Sequence, residues 1–327
     1  MNVESLTPPL IAIIGPTAVG KTELSLQLAE RLNGEIISSD SRLFYRGMNI
    51  GTAKPSAEEL ARVPHHLINV ADPDEIWSLA TFQKAAQKAI AEIRERGKLP
   101  FLVGGTGQYL RAVTEGWLPP KVEADERLRA ELEKMKESNG PEWLHAKLAI
   151  LDPQAAAKID YRNVRRTIRA MEVILTTGKK FSSQRKSGTS PYNLLTIGLK
   201  RPRAELYDRV DLRIEAMFAA GLLGEVQGLL DEGYAAELPS MSAISYRECV
   251  AILNGEMTQD EAITQIKRIT RVFVRRQANW FKEDDASIHW FDAGSAESVI
   301  HIEKLIRNWL IKMGFQRIFS CIIDSIK

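Results

Sequence analysis

The chain has 327 residues with 44 basic and 42 acidic side chains, so strong binding to nucleic acid would require basic residues to be concentrated locally. Two cysteines, Cys249 and Cys321, are too few for a disulfide framework or a zinc site and suit a reducing compartment. The first residues lack the pattern of a signal peptide, and no segment has the apolar length of a membrane span. We therefore expect a cytoplasmic protein with no membrane association.

A glycine loop follows the first apolar run. Residues 10–14 predict a buried strand and 21–32 predict a helix, and the loop between them reads Gly15-Pro16-Thr17-Ala18-Val19-Gly20-Lys21-Thr22. Its glycines allow successive N–H groups to curl around phosphate oxygens, and the helix N-terminus adds partial positive charge. Lys21 supplies a full charge and Thr22 a hydroxyl for Mg²⁺. The loop is therefore predicted to bind a diphosphate or triphosphate.

Short apolar runs and helical stretches alternate along most of the chain. Further strands are predicted at 35–39, 99–103, 194–199 and 288–291, and further helices at 79–96, 203–219 and 259–281. Such alternation is typical of a parallel sheet covered on both faces. We predict an α/β fold of the P-loop type, with a mainly parallel sheet flanked by helices.

The region 118–191 breaks this alternation. It contains only charged segments with helical periodicity, at 125–137, 141–150, 153–159 and 163–177. Pro119-Pro120 before it and residues 187–191 after it are typical of hinges. We predict a core formed by 1–117 and 192–327, which includes C-terminal helices, and an all-helical insertion domain at 118–191.

One acidic residue stands at the predicted sheet edge. Phosphate-loop enzymes usually hold Mg²⁺ with a carboxylate at the end of a strand beside the loop strand. Strand 99–103 instead ends in Gly104-Gly105-Thr106-Gly107, and the nearest acid at a strand end is Asp40. Asp40 can be a metal ligand, a general base or a helix cap. Its position at the carboxyl edge of the sheet favours a chemical role.

Basic residues are concentrated in two stretches. Residues 158–213 include fourteen basic and five acidic side chains, an excess of nine positive charges. The pairs Arg162/Arg166 and Arg165/Arg169 would repel on a helix unless an anion lay against them. The second stretch, 267–282, has no acid between its ends and places Arg268, Arg271 and Arg275 on one helical face. Both stretches indicate contact with a nucleic acid, and a solvated basic surface is the alternative.

Several separated motifs between residues 10 and 291 resemble the tRNA dimethylallyltransferase family, of the bacterial type. The long motif from Ser38 to Pro55 together with Gly104-Gly105-Thr106-Gly107 is the most specific part of the resemblance. The other motifs are the glycine loop, Pro64-His65-His66-Leu67-Ile68, Arg165-Arg166-Thr167-Ile168-Arg169, Ser245-Tyr246-Arg247-Glu248, and the group Thr270-Arg271, Arg275-Arg276-Gln277 and Trp280-Phe281.

The resemblance implies transfer of a dimethylallyl group from dimethylallyl diphosphate to N6 of adenosine 37, next to the tRNA anticodon, with release of diphosphate. The loop would then hold diphosphate, with Lys21, Mg²⁺ on Thr22, and Arg209 or Arg213 stabilising the leaving group. Asp40 matches the family's general base. Thr106 would hydrogen-bond the adenosine or the substrate phosphate and is counted with the catalytic residues.

The resemblance also implies that the anticodon stem-loop is gripped while adenosine 37 flips out of its stack. The helical insertion and the second basic stretch would provide that grip, through charge contacts to the RNA backbone. The residues expected to contact tRNA are Asp40, Ser41, Arg42, Leu43, Thr106, Arg129, Arg165, Arg166, Arg169, Arg271 and Arg275.

Other functions stay open on the residues alone. A P-loop kinase would use ATP in the same loop, a related enzyme would prenylate free adenine nucleotides, and an RNA-binding module would need no catalysis. Two departures from the family pattern also stand out. Ser245 occupies a position where glycine commonly precedes Tyr-Arg, and the resemblance fades beyond Ala293. There, residues 299–311 predict an amphipathic helix, and for 315–326 we favour a helix docked on the core of a monomer over a dimer contact.

Overall fold

The computed structural model describes residues 7–117, 125–184 and 190–315. The chain forms two compact units, one of residues 1–114 with 190–327 and the other of residues 115–189. The division predicted from the sequence placed the insertion at 118–191. The predicted hinge Pro119-Pro120, most of the hinge at 187–191 and nearly all of the segment 315–326 lie outside the described residues.

A parallel sheet forms the centre of the first unit. Its six strands are β1 (Pro9–Ile14), β2 (Gly34–Ser38), β3 (His65–His66), β4 (Leu99–Gly104), β5 (Asn193–Lys200) and β6 (Ile288–Asp292). Their order is β3-β2-β4-β1-β5-β6, and every pair is parallel. Every residue of β1 and β2 is buried, as expected for strands covered on both faces. The predicted α/β fold is confirmed, and the two-residue edge strand β3 was not predicted.

Helices connect these strands, with one or several helices in most connections. In chain order they are α1 (Lys21–Arg31), α2 (Ala57–Arg62), α3 (Leu79–Glu95), α4 (Gly107–Thr114), α5 (Glu126–Asn139), α6 (Pro141–Leu151), α7 (Pro153–Ala156), α8 (Val164–Thr177), α9 (Phe181–Gln184), α10 (Arg203–Ala219), α11 (Leu222–Asp231), α12 (Tyr246–Leu253), α13 (Gln259–Ala278) and α14 (Ser298–Lys312). Helices α5 to α9 belong to the second unit. Among the described residues, none of these helices combines the length and apolar composition that crossing a bilayer requires.

The sheet separates two hydrophobic clusters, because successive residues of a strand point to opposite faces. Ile11 and Ile13 of β1 pack with side chains of α1, α10, α13 and α14. Leu10, Ala12 and Ile14 pack with side chains of α3, α4, α11 and α12. Because helices pack on both faces of the sheet, the positions of the strands, and so of the residues that follow their carboxyl ends, are fixed by the core.

Helices α13 and α4 differ from the predictions, whereas the C-terminal helix agrees with them. Helix α13 ends at Ala278 rather than at 281, because Trp280 N–H donates to the Gln277 carbonyl in a tighter final turn. Helix α4 begins at Gly107, directly after residues that predict a loop. The predicted C-terminal helix is present as α14, and Ile302, Ile306 and Leu310 bury it in the same cluster as α1.

In its described residues, the second unit is built from helices alone, as predicted. Leu132, Leu144, Leu148, Ile168 and Met171 lie in its hydrophobic core. Side-chain caps set the helix starts, since the carboxylate of Asp125 accepts a hydrogen bond from Leu128 N–H and the side chain of Asn163 accepts one from Arg166 N–H.

Candidate active site

The carboxyl ends of three strands meet at one edge of the sheet. Gly15 follows β1, Gly104 ends β4, and Asp40 lies two residues beyond β2. Because β4 lies between β1 and β2, the neighbour of the loop strand ends in glycine, and Asp40 comes from the second strand along. Ligands of open α/β sheets bind at this kind of edge. The topology therefore brings Asp40 to the side of the sheet where the glycine loop begins.

The glycine loop leads directly into α1. Gly20 has φ +112°, a conformation that side chains other than glycine rarely adopt, and it precedes the first helical residue, Lys21. The half-buried ammonium of Lys21 donates to the carbonyls of Gly15, at 3.0 Å, and Pro16, at 2.8 Å. Burial lowers the pKa of Lys21 to about 8, although the negative charge of Asp40 opposes this shift. The lysine is therefore less basic than an ordinary surface lysine.

Two arginines bind carbonyls of the loop. Arg209 Nε donates to the carbonyl of Ala18 at 2.8 Å, and Arg201 Nε donates to the carbonyl of Val19 at 2.9 Å. Burial lowers the pKa of Arg213, one turn further along α10, and the charge of Arg209 adds to the effect. Cationic side chains thus engage two loop carbonyls, which leaves fewer free acceptors in the loop to repel an anion.

The loop opens into a cavity of about 560 Å³, a volume typical of a small-molecule site. Its charged lining includes Lys21, Asp40, Arg42, Arg209 and Arg213, with Glu23, Glu59 and His65, and its polar lining includes Thr22. Its apolar lining includes Ile36, Leu43, Ile68, Val103, Ile214 and Met217. The structure thus brings the predicted loop residues and Asp40 together, and the lining suits an anion that carries an apolar group.

The segment that begins at Asp40 folds back on itself. Asp40 Oδ1 accepts a hydrogen bond from Arg42 N–H at 3.0 Å, and the Asp40 carbonyl accepts one from Leu43 N–H at 3.1 Å. Arg42 Nη1 donates to the carbonyl of Pro239 at 3.1 Å. Asp40, Arg42 and Leu43 line the cavity, whereas Ser41 is half-buried and is not part of the lining.

Thr106 lies beside the cavity without lining it. Its carbonyl accepts hydrogen bonds from the N–H groups of Tyr109 and Leu110, so it forms the start of α4. A Cβ atom on the adjacent Gly107 would lie 2.3 Å from the Trp280 ring, so only glycine fits there. Gly104, two residues before Thr106, does line the cavity.

Glu225 of α11 was not predicted from the sequence, yet it supports one wall of the cavity. Its carboxylate accepts hydrogen bonds from the N–H groups of Asn49, Ile50 and Gly51, at 2.8 to 3.1 Å, and from the Tyr246 hydroxyl, at 2.6 Å. Gly51 and the two residues after it belong to the cavity lining. The sequence carried no signal for this contact, because Glu225 is 174 residues from Gly51.

In the second unit, two of the predicted tRNA-binding arginines hold a buried carboxylate. Arg129 donates two hydrogen bonds to Glu172, at 2.9 and 3.1 Å, and Arg169 donates one at 2.5 Å. Burial of Glu172 opposes its ionisation, but these hydrogen bonds outweigh it and hold the pKa of Glu172 below its ordinary value. The anion that lies against Arg169 is therefore the carboxylate of Glu172, which belongs to the same helix, α8.

Arg162 and Arg166 do not share a helix, and an acidic side chain lies against Arg162. Arg162 lies before the first residue of α8 and pairs with Asp160 at 2.6 Å, so the two arginines are not neighbours on one helix. Arg165 is exposed on α8, and Arg166 is half-buried on the same helix. The contacts of these arginines with tRNA stay predictions.

The basic stretch on α13 is partly neutralised by α10. Lys267 pairs with Glu215 at 2.6 Å, and Arg271 pairs with Asp211 while its guanidinium lies 5.4 Å from the centre of the Tyr207 ring. Arg275 is exposed near the end of the helix. Of the two α13 arginines predicted to bind tRNA, Arg271 is therefore engaged by a carboxylate and Arg275 faces solvent.

Two family profiles match the chain, one described as IPP transferase over residues 43–284 and one as isopentenyl transferase over residues 8–70. A tRNA dimethylallyltransferase of Roseiflexus sp. (strain RS-1) is 51% identical over 302 residues, which are 92% of this chain and 99% of that protein. A protein of the same name from Roseiflexus castenholzii is 55% identical over 274 residues, 84% of this chain and 90% of that protein.

Solved structures are similar as well. The crystal structure of a tRNA isopentenylpyrophosphate transferase from Bacillus halodurans matches with a TM-score of 0.70 and 46% identity, and covers 94% of this chain and 99% of that one. A eukaryotic dimethylallyltransferase acting on tRNA matches with a TM-score of 0.79 and 28% identity, and covers 93% of this chain and 79% of that one.

Proposed function

The chain belongs to the IPP transferase family, and from this premise we propose that it transfers the dimethylallyl group of dimethylallyl diphosphate to N6 of adenosine 37 in tRNA. One observation carries the proposal: Lys21, Asp40 and an apolar wall share a single cavity. The cationic part suits the diphosphate, the apolar part suits the five-carbon chain, and the carboxylate suits the acceptor amine. An activity on tRNA favours a cytoplasmic location for the protein.

On the donor side, the bond between the allylic carbon and the diphosphate oxygen breaks. Negative charge grows on the departing oxygens, and fixed positive groups lower the energy of that transition state. Lys21, Arg209 and Arg213 line the cavity and can supply such charge. Because diphosphate leaves as a whole, the loop needs no ATP for this reaction.

On the acceptor side, a bond forms between N6 and the allylic carbon. The amine is a weak nucleophile because its lone pair is delocalised into the purine, and it gains positive charge as the bond forms. A carboxylate that accepts the N6 proton assists this step, and Asp40 is the acid in the cavity that comes from the sheet edge. Transfer to N6 therefore ends with the proton on Asp40 and diphosphate in the loop.

We assign the metal role to Mg²⁺ that arrives with the diphosphate. Over 7–117, 125–184 and 190–315, no group of three or more acidic, histidine or cysteine side chains could hold a metal. Thr22 and Asp40 line the same cavity, and Mg²⁺ often takes only one or two protein oxygens beside phosphate oxygens and water. Thr22 would hold the ion, which would neutralise charge on the diphosphate when bound.

Transfer of label from dimethylallyl diphosphate tests the proposal, with Mg²⁺ and with unmodified tRNA or AMP as acceptor. We expect label in tRNA, and none in tRNA whose adenosine 37 is replaced. Label in AMP alone would assign the enzyme to free nucleotides. ATP-dependent phosphorylation of a metabolite without any prenyl transfer would support a kinase instead.

Replacement of Asp40 by Asn tests the assigned base. At pH 6.5, we expect kcat to fall by about 10²–10⁴, the usual contribution of a general base, with tRNA binding retained. Asp74→Asn is the matched control, because Asp74 is exposed and lies outside the cavity lining. A kcat close to that of the unchanged protein would exclude Asp40 as the base.

A further inference from the structure

Thr17 of the glycine loop is held by a side chain 260 residues away. Gln277 Oε1 accepts a hydrogen bond from Thr17 N–H at 2.8 Å and a second from the Thr17 hydroxyl at 3.0 Å. Gln277 is only 7% exposed and lies in the last turn of α13. A buried acceptor with two donors from one residue fixes the orientation of that residue strongly.

The Gly104-Gly105 segment leaves room for this side chain. A Cβ atom on Gly105 would lie 2.6 Å from Gln277 Nε2 and 2.9 Å from the carbonyl oxygen of Gly15. Gln277 therefore lies between the glycine loop and the segment that ends β4. The need for space explains a glycine at position 105, for which the sequence alone offered no reason.

Gln277 differs from the other side chains that hold the loop. Lys21, Arg201 and Arg209 are donors, and each binds loop carbonyls. Gln277 is an acceptor, and it binds an N–H group and a hydroxyl of Thr17, the residue before Ala18. Ala18 has φ +65°, a conformation that an alanine seldom adopts without support. The loop shape therefore depends on restraint from both the carbonyl and the N–H side.

We propose that Gln277 is a positioning residue that holds the glycine loop, through Thr17, in the conformation that binds diphosphate. The identity of the prenyl donor rests on the proposed function, whereas binding of diphosphate itself does not. Without Gln277, the loop would populate other conformations, and the apparent affinity would fall with the fraction that remains competent. Gln277 touches no reacting atom in this assignment and acts only through Thr17.

The first test is Gln277→Met, which keeps the length and approximate volume of the side chain but removes the oxygen acceptor. We expect the dissociation constant for pyrophosphate, measured by calorimetry, and the KM for dimethylallyl diphosphate each to rise about tenfold. The KM for tRNA should change less than about twofold, and kcat should be nearly unchanged. Gln265→Met on the same helix is the control, since Gln265 lies three turns before Gln277 and is not in the cavity lining.

A double-mutant cycle with Thr17→Val separates positioning from a general loss of folding. If Gln277 acts through Thr17, the double variant should bind pyrophosphate about as weakly as Gln277→Met alone. Additive effects of the two substitutions would overturn the proposal. An unchanged pyrophosphate affinity in Gln277→Met would also overturn it, because the contact with Thr17 would then have no effect on binding. A tighter affinity would overturn it too, because the Thr17 N–H would then bind the anion better when it is free of Gln277.

Failure of the proposed function would look different. The unchanged protein would then transfer no prenyl group to tRNA, while pyrophosphate calorimetry would still report on Gln277. A fall in the fraction of active enzyme, with all affinities unchanged, would show that Gln277 only stabilises the fold and would also contradict the positioning role.

Discussion

The lowered basicity of Lys21 predicts an unusual pH dependence for diphosphate binding. With a pKa of about 8, Lys21 is charged in about 90% of molecules at pH 7 and in about 10% at pH 9. Only the charged form attracts the diphosphate, so affinity is constant well below pH 8 and falls as pH rises through it. Between pH 7 and pH 9 the expected loss is about tenfold, whereas a lysine of ordinary pKa would lose almost nothing.

The charge of Asp40 sets where that loss begins. Asp40 raises the pKa of Lys21, in opposition to the larger effect of burial. Asp40→Asn removes the favourable charge, so the pKa of Lys21 falls further and the loss of affinity starts at lower pH. Through Lys21, Asp40→Asn should therefore lower the affinity for diphosphate at pH 8 more than at pH 6.5.

Calorimetric titration with pyrophosphate between pH 6 and 9.5 measures both effects. Lys21→Arg, measured alongside, keeps its charge over this range and reports any change that comes from the ionisation of pyrophosphate itself. The reasoning is refuted if affinity stays constant to pH 9.5 after this correction, or if Asp40→Asn leaves the midpoint where it was.

Two further predictions concern stability. Glu172→Ala should destabilise the second unit by about 2–4 kcal/mol, because it leaves Arg129 and Arg169 without their buried partner. The loss is kept below that of a fully buried pair because each arginine is about one-third exposed. Faster hydrogen exchange along α8 would show the destabilisation, and unchanged exchange would contradict it. Since the folded pKa of Glu172 is lowered, its contribution is present above the ordinary glutamate pKa and should disappear as pH falls through the lowered value. Ser245 is buried with φ +84°, so Ser245→Gly should raise the free energy of unfolding by about 1 kcal/mol in urea, and a loss of stability would show that the serine is not strained.

The sheet and the loop could be predicted because their signals are local. Strands β1 and β4 are runs of mainly apolar, mostly buried residues, and the eight consecutive residues of the glycine loop are enough to indicate phosphate binding. Strand β3 escaped prediction because two histidines at a sheet edge carry no apolar run. Helix α4 escaped because it begins at a glycine, which is a poor helix former.

The supports of the site could not be predicted, because their partners are far apart in the sequence. Nothing near Thr17 points to Gln277, and nothing near Gly51 points to Glu225. The sequence contains one weak indication that α13 pairs with α10, because Asp211 and Glu215 have the same four-residue spacing as Lys267 and Arg271. That spacing became informative only once the two helices were known to pack together.

Charge counting along the chain overstates the number of cations available to RNA. Arg271 is matched by Asp211, and a phosphate could recruit it only by displacing that carboxylate. Arg129 and Arg169 share Glu172, so together they offer one net positive charge, held in a fixed geometry. Arg165 and Arg275 are exposed and can meet a phosphate without breaking such a pair. Their replacement should therefore reduce the salt dependence of tRNA binding by close to one charge each, and replacement of Arg271 by less.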